Sequence, residues 1–473
     1  MSAVQPNLIN LTGAHAPVAE VCALLRAAGG RPFLVGGCVR DALLGRTIGE
    51  IDIEVYGLGS RQVEAALRRR FGIVTVGAAF GVTKVKDHPI DVSVPRRENR
   101  TGAGHRDFEV QADPTMTPRD ASERRDFTLN AILWDPATGE LVDPWNGQAD
   151  LQKGVLRHVS AKFAEDPLRV LRAMQFVARF GFRVAPETSA LCATLNPYNL
   201  PPERLMEEWT KLLLLGRTPS LGLFFLRDCG WTKFFPTLHA LIDIPQDPEW
   251  HPEGDVFRHT AFCLDAFAQE RLGHRDEDLI VGLAVLLHDL GKATTTKKEA
   301  DGRWHAYGHE LASEPLAVAF LAQITRETKL LESVLPLVRW HGQPYELYKT
   351  KAAGDAAIRR LAAKVLRIDR LVRVDSADRK GRPDEKYPEK SQWTTEASPQ
   401  GIWLTERAAA LHLADSAPRR LILGRHLIAL GHKPGGWFTP LLDEAFEAQL
   451  EGAFTDESTG LVWLQERLAR APV

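Results

Sequence analysis

Two glycines and three carboxylates near the start of the chain form a pattern suited to phosphate chemistry. Gly36 and Gly37 lie between a predicted strand and a short predicted helix, where their backbone N–H groups can approach a phosphate. Alternation along the next predicted strand places Glu50, Asp52 and Glu54 on one face. Carboxylate oxygens bind Mg²⁺, and bound Mg²⁺ can stabilise both oxygens of a phosphoryl displacement. The pattern predicts a metal-dependent phosphoryl transfer site, and an acidic, solvated strand face is the alternative.

A predicted helix further along the chain carries side chains that could recognise a nucleobase. Pro167 and Gly181 bracket the helix, and Asp166, Arg169 and Arg172 recur every third residue on one face. A carboxylate accepts hydrogen bonds and a guanidinium donates them, which matches the amine and ring nitrogen shared by cytosine and adenine. Uracil and guanine would leave both protein groups unpaired, and this loss would favour cytosine and adenine over them by about 10⁴-fold. On spacing alone, a surface salt bridge is the simpler explanation.

Length and composition bear on the number of domains, on nucleic-acid binding and on the cellular compartment. The chain has 473 residues, a length that suggests about three domains. Its 59 basic and 61 acidic side chains nearly cancel, so binding of nucleic acid has to come from local basic patches. Five scattered cysteines without C-x-x-C spacing predict a reducing compartment and no structural zinc. No signal peptide, membrane-length apolar run or lipidation motif is recognisable, so we expect a cytoplasmic protein without a membrane partner.

The N-terminal motifs resemble a known family. The run GGCVRD, then LLG, then two acids one residue apart is similar to the nucleotidyltransferase head of class II tRNA nucleotidyltransferases (CCA-adding enzymes) and bacterial poly(A) polymerases. The resemblance implies that Glu50 and Asp52 are the catalytic, Mg²⁺-binding pair, although the family usually has two aspartates there. Asp52 with Glu54 is the alternative pair. Asp91 would be a third catalytic carboxylate or simply an acid at the end of a strand.

The resemblance also implies a set of nucleotide-binding residues. The run RRDFTLN matches the family's RRDxxxN motif, in which the arginine contacts phosphate and the aspartate and asparagine contact the ribose hydroxyls. The run EDPLR matches the family's nucleobase-reading helix, which favours base recognition over a surface salt bridge. One departure is Gln175, where some relatives carry a further arginine. The implied residues are Gly36, Gly37, Arg40, Arg125, Asp126, Asn130, Asp166, Arg169 and Arg172.

Histidines and aspartates on separate predicted helices form a second pattern in the C-terminal half. An adjacent His-Asp pair with further histidines resembles the HD superfamily of metal-dependent phosphohydrolases. Imidazole and carboxylate ligands suit a transition metal such as Mn²⁺ or Ni²⁺ better than Mg²⁺. An inactive HD fold kept as a scaffold is the alternative. The implied ligands are His259, His288, Asp289 and Asp378, with Asp375 as the alternative to Asp378 and with His309 and His341 in a second metal position or on the phosphate.

These patterns together predict an α+β protein with a small mixed-sheet head followed by helical regions. We expect the nucleotidyltransferase head in residues 1–150, a helical nucleobase-reading and neck region in 151–243, the HD domain in 244–381, and a linker with a helical tail in 382–473. The polar stretch 98–122 reads as a long loop with little packing potential.

The resemblance implies template-independent addition of C and A nucleotides from CTP and ATP to the 3′ end of tRNA. The HD domain would hydrolyse a phosphomonoester or a 2′,3′-cyclic phosphate. A partial enzyme adding only CC or only A, a poly(A) polymerase, and a tRNA-binding or nucleotide-sensing protein with an inactive head are the alternatives. No DNA partner is expected, and the oligomeric state does not follow from the sequence.

Overall fold

The computed structural model describes residues 3–4, 8–11, 15–76, 82–100, 108–350, 354–382 and 398–470. The chain divides into two compact units. The first comprises residues 1–208 and 225–234, and the second comprises residues 209–224 and 235–473. Among the described residues, no helix combines the length and the apolar character needed to cross a membrane.

The first unit is built on a mixed sheet with the spatial order β1-β10-β9-β2-β3-β6-β5-β4. The pair β3 and β6 is parallel and the other neighbours are antiparallel. The strands of this unit are β1 (Ala3–Val4), β2 (Arg31–Val35), β3 (Ile51–Tyr56), β4 (Ile73–Val76), β5 (Val82–Val85), β6 (Ile90–Ser93), β7 (Arg96–Arg100), β8 (Phe108–Ala112), β9 (Leu133–Trp134), β10 (Glu140–Val142), β11 (Val155–Leu156) and β12 (Arg183–Val184).

Helices cover this sheet and follow it. Ile53 and Val55 of β3 are fully buried in one core with Val21, Leu25 and Val63, so the alternation of the strand turns Asp52 to the opposite face. The helices are α1 (Ala16–Ala27), α2 (Gly37–Leu43), α3 (Ser60–Leu67), α4 (Pro118–Ser122), α5 (Gly147–Lys153), α6 (Leu168–Phe180) and α7 (Pro186–Ala193), while α8 (Pro202–Leu215) and α9 (Pro219–Asp228) contribute residues to both units.

The stretch predicted as a long loop contains regular structure. Strands β7 and β8 pair antiparallel, with Arg96 opposite Ala112 and Arg100 opposite Phe108, and α4 follows. The prediction of a loop over 98–122 is therefore wrong for these segments, and residues 101–107 lie outside the described part. Polar side chains do not prevent a two-stranded ribbon, because main-chain hydrogen bonds form it.

The second unit is helical apart from a two-stranded ribbon, as far as the described residues show. Its elements are α10 (Pro236–His239), α11 (Val256–Gln269), α12 (Arg275–Leu287), α13 (Lys292–Thr295), β13 (Lys297–Lys298), β14 (Trp304–His305), α14 (His309–Ile324), α15 (Thr328–Trp340), α16 (Gln343–Thr350), α17 (Asp355–Val365), α18 (Ile368–Lys380), α19 (Pro399–Ala410), α20 (Gly424–Ala429), α21 (Phe438–Glu451) and α22 (Glu457–Arg470). The α+β class, with a mixed-sheet head followed by helical regions, is confirmed.

Candidate active sites

A glycine turn joins β2 to α2 and lies against the acidic strand β3. Gly36 has a φ of +73°, a conformation that residues with a Cβ atom rarely adopt. A Cβ atom at Gly36 would lie 3.8 Å from Asp52 Oδ2 and 3.7 Å from Arg125 Nη1, and one at Gly37 would lie 3.5 Å from Arg40 Nη2. One carboxylate and two guanidinium groups therefore surround the turn.

Two further carboxylates flank Asp52. Asp91 is its register partner on the adjacent strand β6, and Glu50 is exposed immediately before β3. Much of the Asp52 residue is exposed, yet loss of water around its carboxyl group raises its pKa. Arg125 opposes this shift, while the charges of Asp91 and Glu50 add to it. Lys84 pairs with Asp91 at 2.8 Å. Crowded carboxylates of this kind fit a divalent cation with oxygen ligands.

Glu54 has a different environment from Asp52, although both side chains lie on the same strand. It is 1% exposed, and its Oε2 accepts a hydrogen bond from the Tyr56 hydroxyl at 2.7 Å. The same oxygen lies 3.4 Å from Arg125 Nη2. These contacts favour Glu50 over Glu54 as the partner of Asp52, and the assignment of the pair stays a prediction.

A chain of buried polar side chains connects the glycine turn to α6. Arg40 is held by both carboxylate oxygens of Asp41 at 2.8 Å and donates to Asn130 Oδ1 at 2.8 Å. Asn130 Nδ2 donates to Asp126 Oδ1 at 2.8 Å, and Asp126 Oδ2 accepts from Arg172 at 2.8 and 2.6 Å. Arg40, Asn130 and Asp126 are each at most 7% exposed. Their contacts with phosphate and ribose stay predictions.

Helix α6 begins at Leu168, so the expectation that Asp166 shares a helical face with Arg169 and Arg172 is wrong. Proline disfavours the helical conformation of the residue before it, and Asp166, which precedes Pro167, has φ −128° and ψ 96°. Its carboxylate accepts from the Leu168 backbone N–H at 3.2 Å, which forms an Asx turn immediately before the helix.

The side chains on and before α6 that the sequence suggests for base recognition already have hydrogen-bond partners within the first unit. Asp166 accepts from Arg204 Nη2 at 2.8 Å, and Arg169 Nη1 donates to the Lys162 carbonyl oxygen at 2.7 Å. Gln175 is 2% exposed and accepts from Arg179 Nη1 at 3.2 Å. Recognition of a base by Asp166 and Arg169 would therefore exchange existing hydrogen bonds for new ones.

Three histidines of the second unit are oriented in the same way. Nδ1 of His288, His309 and His341 lies 2.8, 2.8 and 2.7 Å from the carbonyl oxygen three residues earlier. Because a carbonyl only accepts, Nδ1 of a neutral ring carries the proton and Nε2 keeps its lone pair. Burial lowers the pKa of His341 to about 3, which keeps that ring neutral. Nε2 of His309 and Nε2 of His341 lie 3.2 Å apart.

His259 presents its Nε2 to the same region. Its Nδ1 lies 2.8 Å from Glu253 Oε1, and its Nε2 lies 3.0 Å from Asp378 Oδ1 and 3.6 Å from Asp289 Oδ2. A carboxylate on the outer nitrogen of a histidine fixes the tautomer and directs the inner nitrogen to a metal. Four imidazoles therefore turn Nε2 toward Asp289 and Asp378.

The surroundings of Asp289 indicate that a cation belongs in this cluster. Asp289 Oδ2 lies 2.7 Å from Lys292 Nζ and 3.2 Å from His288 Nε2, and Oδ1 lies 3.3 Å from His309 Nε2. Despite these distances, neither oxygen nor His288 Nε2 has a well-directed hydrogen bond from any residue that the structure describes. Lys292 offsets the charge at Oδ2, but the buried Oδ1 of Asp289 and Nε2 of His288 still lack a donor among the described residues, which is costly unless a cation binds there. The nitrogen and oxygen donors fit a divalent transition metal.

Asp375, the alternative ligand, lines the same cavity but makes its hydrogen bonds with residues outside the histidine cluster. It is 5% exposed and accepts from Ser398 Oγ at 2.5 Å and from Gln400 Nε2 at 3.1 Å. Burial raises its pKa to about 6. Asp378 contacts His259 and pairs with Arg382 at 2.8 Å. The contacts favour Asp378 as the ligand, and this assignment also stays a prediction.

Three residues of the cluster were missed in the sequence. Glu253 and His251, 2.8 Å apart, lie in residues 244–254, where three prolines and a tryptophan are typical of a linker at a domain boundary, and Cys263 belongs to no C-x-x-C motif. The Cys263 Sγ lies 3.4 Å from His259 Nε2. Two signals could have found them: an acid shortly before the first histidine, and a cysteine one helical turn after it.

A cavity of about 790 Å³ opens onto the cluster within the second unit. Its lining includes His309, His341 and Asp378 at the base and the exposed aromatic side chains of Trp250 and Tyr307. A cavity of this size accepts a ligand larger than a phosphate ion.

Comparisons with known proteins identify the domains that carry the two candidate sites. A family model of the poly A polymerase head domain matches residues 32–157, and one of the HD domain matches residues 256–379. The Multifunctional CCA protein of Nitrosospira multiformis is 33% identical over 395 residues, which cover 82% of this chain and 90% of that protein. The protein of the same name from Nitrosococcus oceani is 36% identical over 377 residues, covering 76% of this chain and 88% of the relative.

Solved structures show the same fold at lower identity. The Bacillus stearothermophilus CCA-adding enzyme in complex with CTP has a TM-score of 0.66 and 21% identity, with coverage of 97% of this chain and 98% of that one. The Thermotoga maritima CCA-adding enzyme complexed with tRNA has a TM-score of 0.57 and 19% identity, with coverage of 98% and 97%.

Proposed function

Because the chain belongs to the class II tRNA nucleotidyltransferase family and carries an HD domain, we propose that it adds C and A nucleotides from CTP and ATP to the 3′ end of tRNA. The observation that carries this proposal is Asp52 beside Gly36 and Arg125, an arrangement in which a triphosphate could meet a cation bound to the carboxylate. Action on tRNA would place the protein in the cytoplasm.

In this proposal different residues of the head bind the metal ion and the phosphates. The terminal 3′-hydroxyl attacks the α-phosphate, and pyrophosphate leaves toward Gly37 and Arg125. Glu50 and Asp52, with Asp91 beside them, would hold Mg²⁺. When bound, Mg²⁺ supplies positive charge that offsets the charge developing on the attacking and leaving oxygens. Arg125 stays close to the phosphates because Glu54 pairs with its other edge.

The buried chain from Arg40 to Arg172 connects phosphate binding to base binding. Asn130 and Asp126 are each shared by two partners, so a shift of either arginine moves the other. Asp166 and Arg169 would bind the amine and ring nitrogen of cytosine or adenine. Asp166 would then give up Arg204, and Arg169 would give up at least one of the backbone carbonyls of Lys162 and Arg124. Selection of C and A then follows from hydrogen-bond complementarity.

The addition activity can be tested with the full-length chain and tRNA shortened by zero to three terminal nucleotides. Each nucleoside triphosphate is supplied separately, and the products are sequenced. We expect C, C and A to be added in order and no extension of complete tRNA. Addition of only CC or only A would identify a partial enzyme, and a long A tail would identify a poly(A) polymerase.

A variant identifies the catalytic carboxylate in the same assay. Asp52→Ala should abolish incorporation, whereas Asp228→Ala, which changes an exposed acid of the same unit, should not. Incorporation that persists in Asp52→Ala would refute the proposed catalytic role.

For the second unit we propose metal-dependent hydrolysis of a phosphomonoester or a 2′,3′-cyclic phosphate. The convergence of four Nε2 atoms on Asp289 and Asp378 supports it. His259, His288, Asp289 and Asp378 would hold the metal, and the bound metal would lower the pKa of a water molecule and neutralise phosphate charge.

Lys292 and the half-buried His309 are placed to meet the phosphate, because both lie at the edge of the cavity next to Asp289. Removal of a 2′,3′-cyclic phosphate from a damaged tRNA end, followed by loss of the remaining phosphate, would restore the hydroxyl that the head extends. Hydrolysis should require added metal and be lost in His288→Ala. Hydrolysis that survives this substitution would exclude the site.

A further inference from the structure

Exposed aromatic side chains line the cavity of the second unit beside the histidine and aspartate cluster. Trp250 is 59% exposed and Tyr307 is 75% exposed, although aromatic rings in folded proteins usually bury much of their surface. They come from two separate segments, one before α11 and one between β14 and α14. Neither ring takes part in the proposed metal site, and both are accessible to a ligand that enters the cavity.

The ring of Tyr307 lies next to the place proposed for the phosphate. Only Gly308 separates Tyr307 from His309 in sequence, so the Cα atoms of the two residues are at most about 7 Å apart. His309 Nε2 lies 3.3 Å from Asp289 Oδ1. A nucleotide spans a similar distance between its phosphate and its base. A phosphate bound at the cluster therefore leaves the base within reach of Tyr307.

Trp250 is tied to the same cluster from the other segment. It directly precedes His251, whose ring lies edge-on to that of His259, with 4.7 Å between the centroids and 86° between the planes. The backbone that holds His251 against the cluster therefore also holds Trp250 at the wall of the cavity.

The Tyr307 ring is already supported for stacking. The ring of His305 stacks on it, with centroids 5.1 Å apart and planes 6° apart, while Tyr307 stays mostly exposed. One face is covered by this neighbour and the other can accept a planar group. A ring held in place in this way loses little conformational freedom when a ligand binds.

The side chains that could read the edge of a base are used within the protein. The lining of the cavity includes two glutamines. Gln246 accepts from Lys292 Nζ at 3.0 Å, and Gln400 donates to Asp375 Oδ1 at 3.1 Å. Contact through ring faces, which all four bases offer, is therefore favoured over selection of one base.

We propose that Trp250 and Tyr307 form a stacking subsite for the base of the nucleotide whose phosphate the second unit hydrolyses. The inference rests on the hydrolysis proposed above and deepens it by stating what distinguishes a substrate. The subsite requires a base and does not select among the four. A phosphomonoester of a small alcohol, which has no base, is then a poor substrate.

Hydrolysis kinetics of the full-length chain test the subsite. The probes are the 2′,3′-cyclic phosphates of the four nucleosides and the same sugar cyclic phosphate without a base. Each is supplied free and at the end of a short RNA, so that the two sources of a nucleotide are distinguished. We expect kcat/KM to be about 10- to 100-fold higher with a base than without one, and to vary by less than about fivefold among the four bases.

Variants of the two rings identify the residues responsible. Tyr307→Ala and Trp250→Ala should each lower the preference for a base by about tenfold. Tyr307→Phe keeps the ring and should keep the preference. Tyr198→Ala changes a tyrosine of the first unit that is 79% exposed, and it should behave as the unmodified chain does. An unchanged preference in Tyr307→Ala and Trp250→Ala would overturn the inference, and so would selection of one base by more than about tenfold.

A binding measurement separates the subsite from the hydrolysis itself. If the unmodified chain hydrolyses none of the probes, the proposed hydrolysis is refuted, and binding of adenosine 2′,3′-cyclic phosphate to the metal-free chain decides the subsite. A Kd about tenfold higher in Tyr307→Ala than in Tyr307→Phe would support stacking, because binding to the head is the same in both chains. Equal Kd values, or no binding, would overturn it.

Discussion

Replacing Asp126 by asparagine tests whether its buried ion pair with Arg172 stabilises the first unit. Asp126 is 7% exposed and accepts hydrogen bonds from Arg172, from Asn130 and from the backbone of Phe127. Burial by itself would raise its pKa, but the charge of Arg172 and the hydrogen bond from Asn130 lower the pKa to about 2. The difference from the ordinary value of 3.8 corresponds to about 2 kcal/mol at neutral pH.

The sign of the pH dependence follows from the lowered pKa. The stabilisation is fully present above about pH 5 and is lost as the pH falls through about 2, because the folded state then takes up the proton. Asp126→Asn should therefore lower the free energy of unfolding by about 2 kcal/mol at pH 7 and by only about 1 kcal/mol at pH 3.

Hydrogen exchange of the full-length chain, read by mass spectrometry, resolves this effect from changes in the second unit. Peptides from α6 in Asp126→Asn should exchange faster than in the unmodified chain at pH 7 by a factor on the order of tens, after correction for intrinsic rates. Asp228→Asn changes an exposed acid and should exchange as the unmodified chain does. Equal protection in Asp126→Asn, or a loss of protection that is the same at pH 7 and pH 3, would refute the reasoning.

Three further substitutions probe the two sites. Glu54→Gln should raise the KM for CTP by about tenfold with little change in kcat, because Arg125 loses its charged partner; steady-state kinetics measure this. Glu253→Gln should weaken binding of Zn²⁺ or Mn²⁺ by about 10- to 100-fold in calorimetric titrations. Gly291→Ala would place a Cβ atom 2.1 Å from the His309 carbonyl oxygen, and we expect urea unfolding of the second unit to show a loss of about 1–3 kcal/mol.

Matched controls distinguish these effects from general damage. Glu249→Gln changes an exposed acid near Glu253 and should leave metal affinity unchanged. Gly436→Ala adds a methyl group where no atom lies within 4 Å and should leave stability unchanged. An unaltered KM in Glu54→Gln would refute the expectation that Glu54 affects CTP binding through Arg125, and would leave its hydrogen bond with Tyr56 as its main contact.

Much of the head could be predicted because its signals are local. The strand before Gly36, the turn and the alternation of β3 are encoded within neighbouring residues, and the structure places Asp52 beside that turn. The different environment of Glu54 could not be predicted, since it depends on Arg125, which lies 71 residues away in sequence. The ribbon of β7 and β8 was missed because polar side chains conceal a pairing made by the backbone.

Only the histidines and aspartates of the cluster in the second unit could be predicted from the sequence. Histidines beside aspartates stand out in a sequence, and the structure brings His259, His288 and Asp378 together. Glu253 was missed because prolines and a tryptophan around it suggest a linker, whereas its burial follows from tertiary packing. The wrong placement of Asp166 on the helix has a local cause. The three-residue spacing of Asp166, Arg169 and Arg172 suggests one helical face, but Pro167 disfavours the helical conformation of the residue before it.

The way the imidazoles are held has a consequence for how the second unit unfolds. The donors that converge there are far apart in the chain, and His259 and Asp378 are separated by 119 residues in sequence. A cation shared by them acts as a cross-link that closes a long loop, and loops of about 100 residues lose roughly 4–5 kcal/mol of chain entropy in the unfolded state when tied. Ion occupancy would then set the heat resistance of this half of the molecule, so scarcity of metal in a cell would shorten the lifetime of the protein.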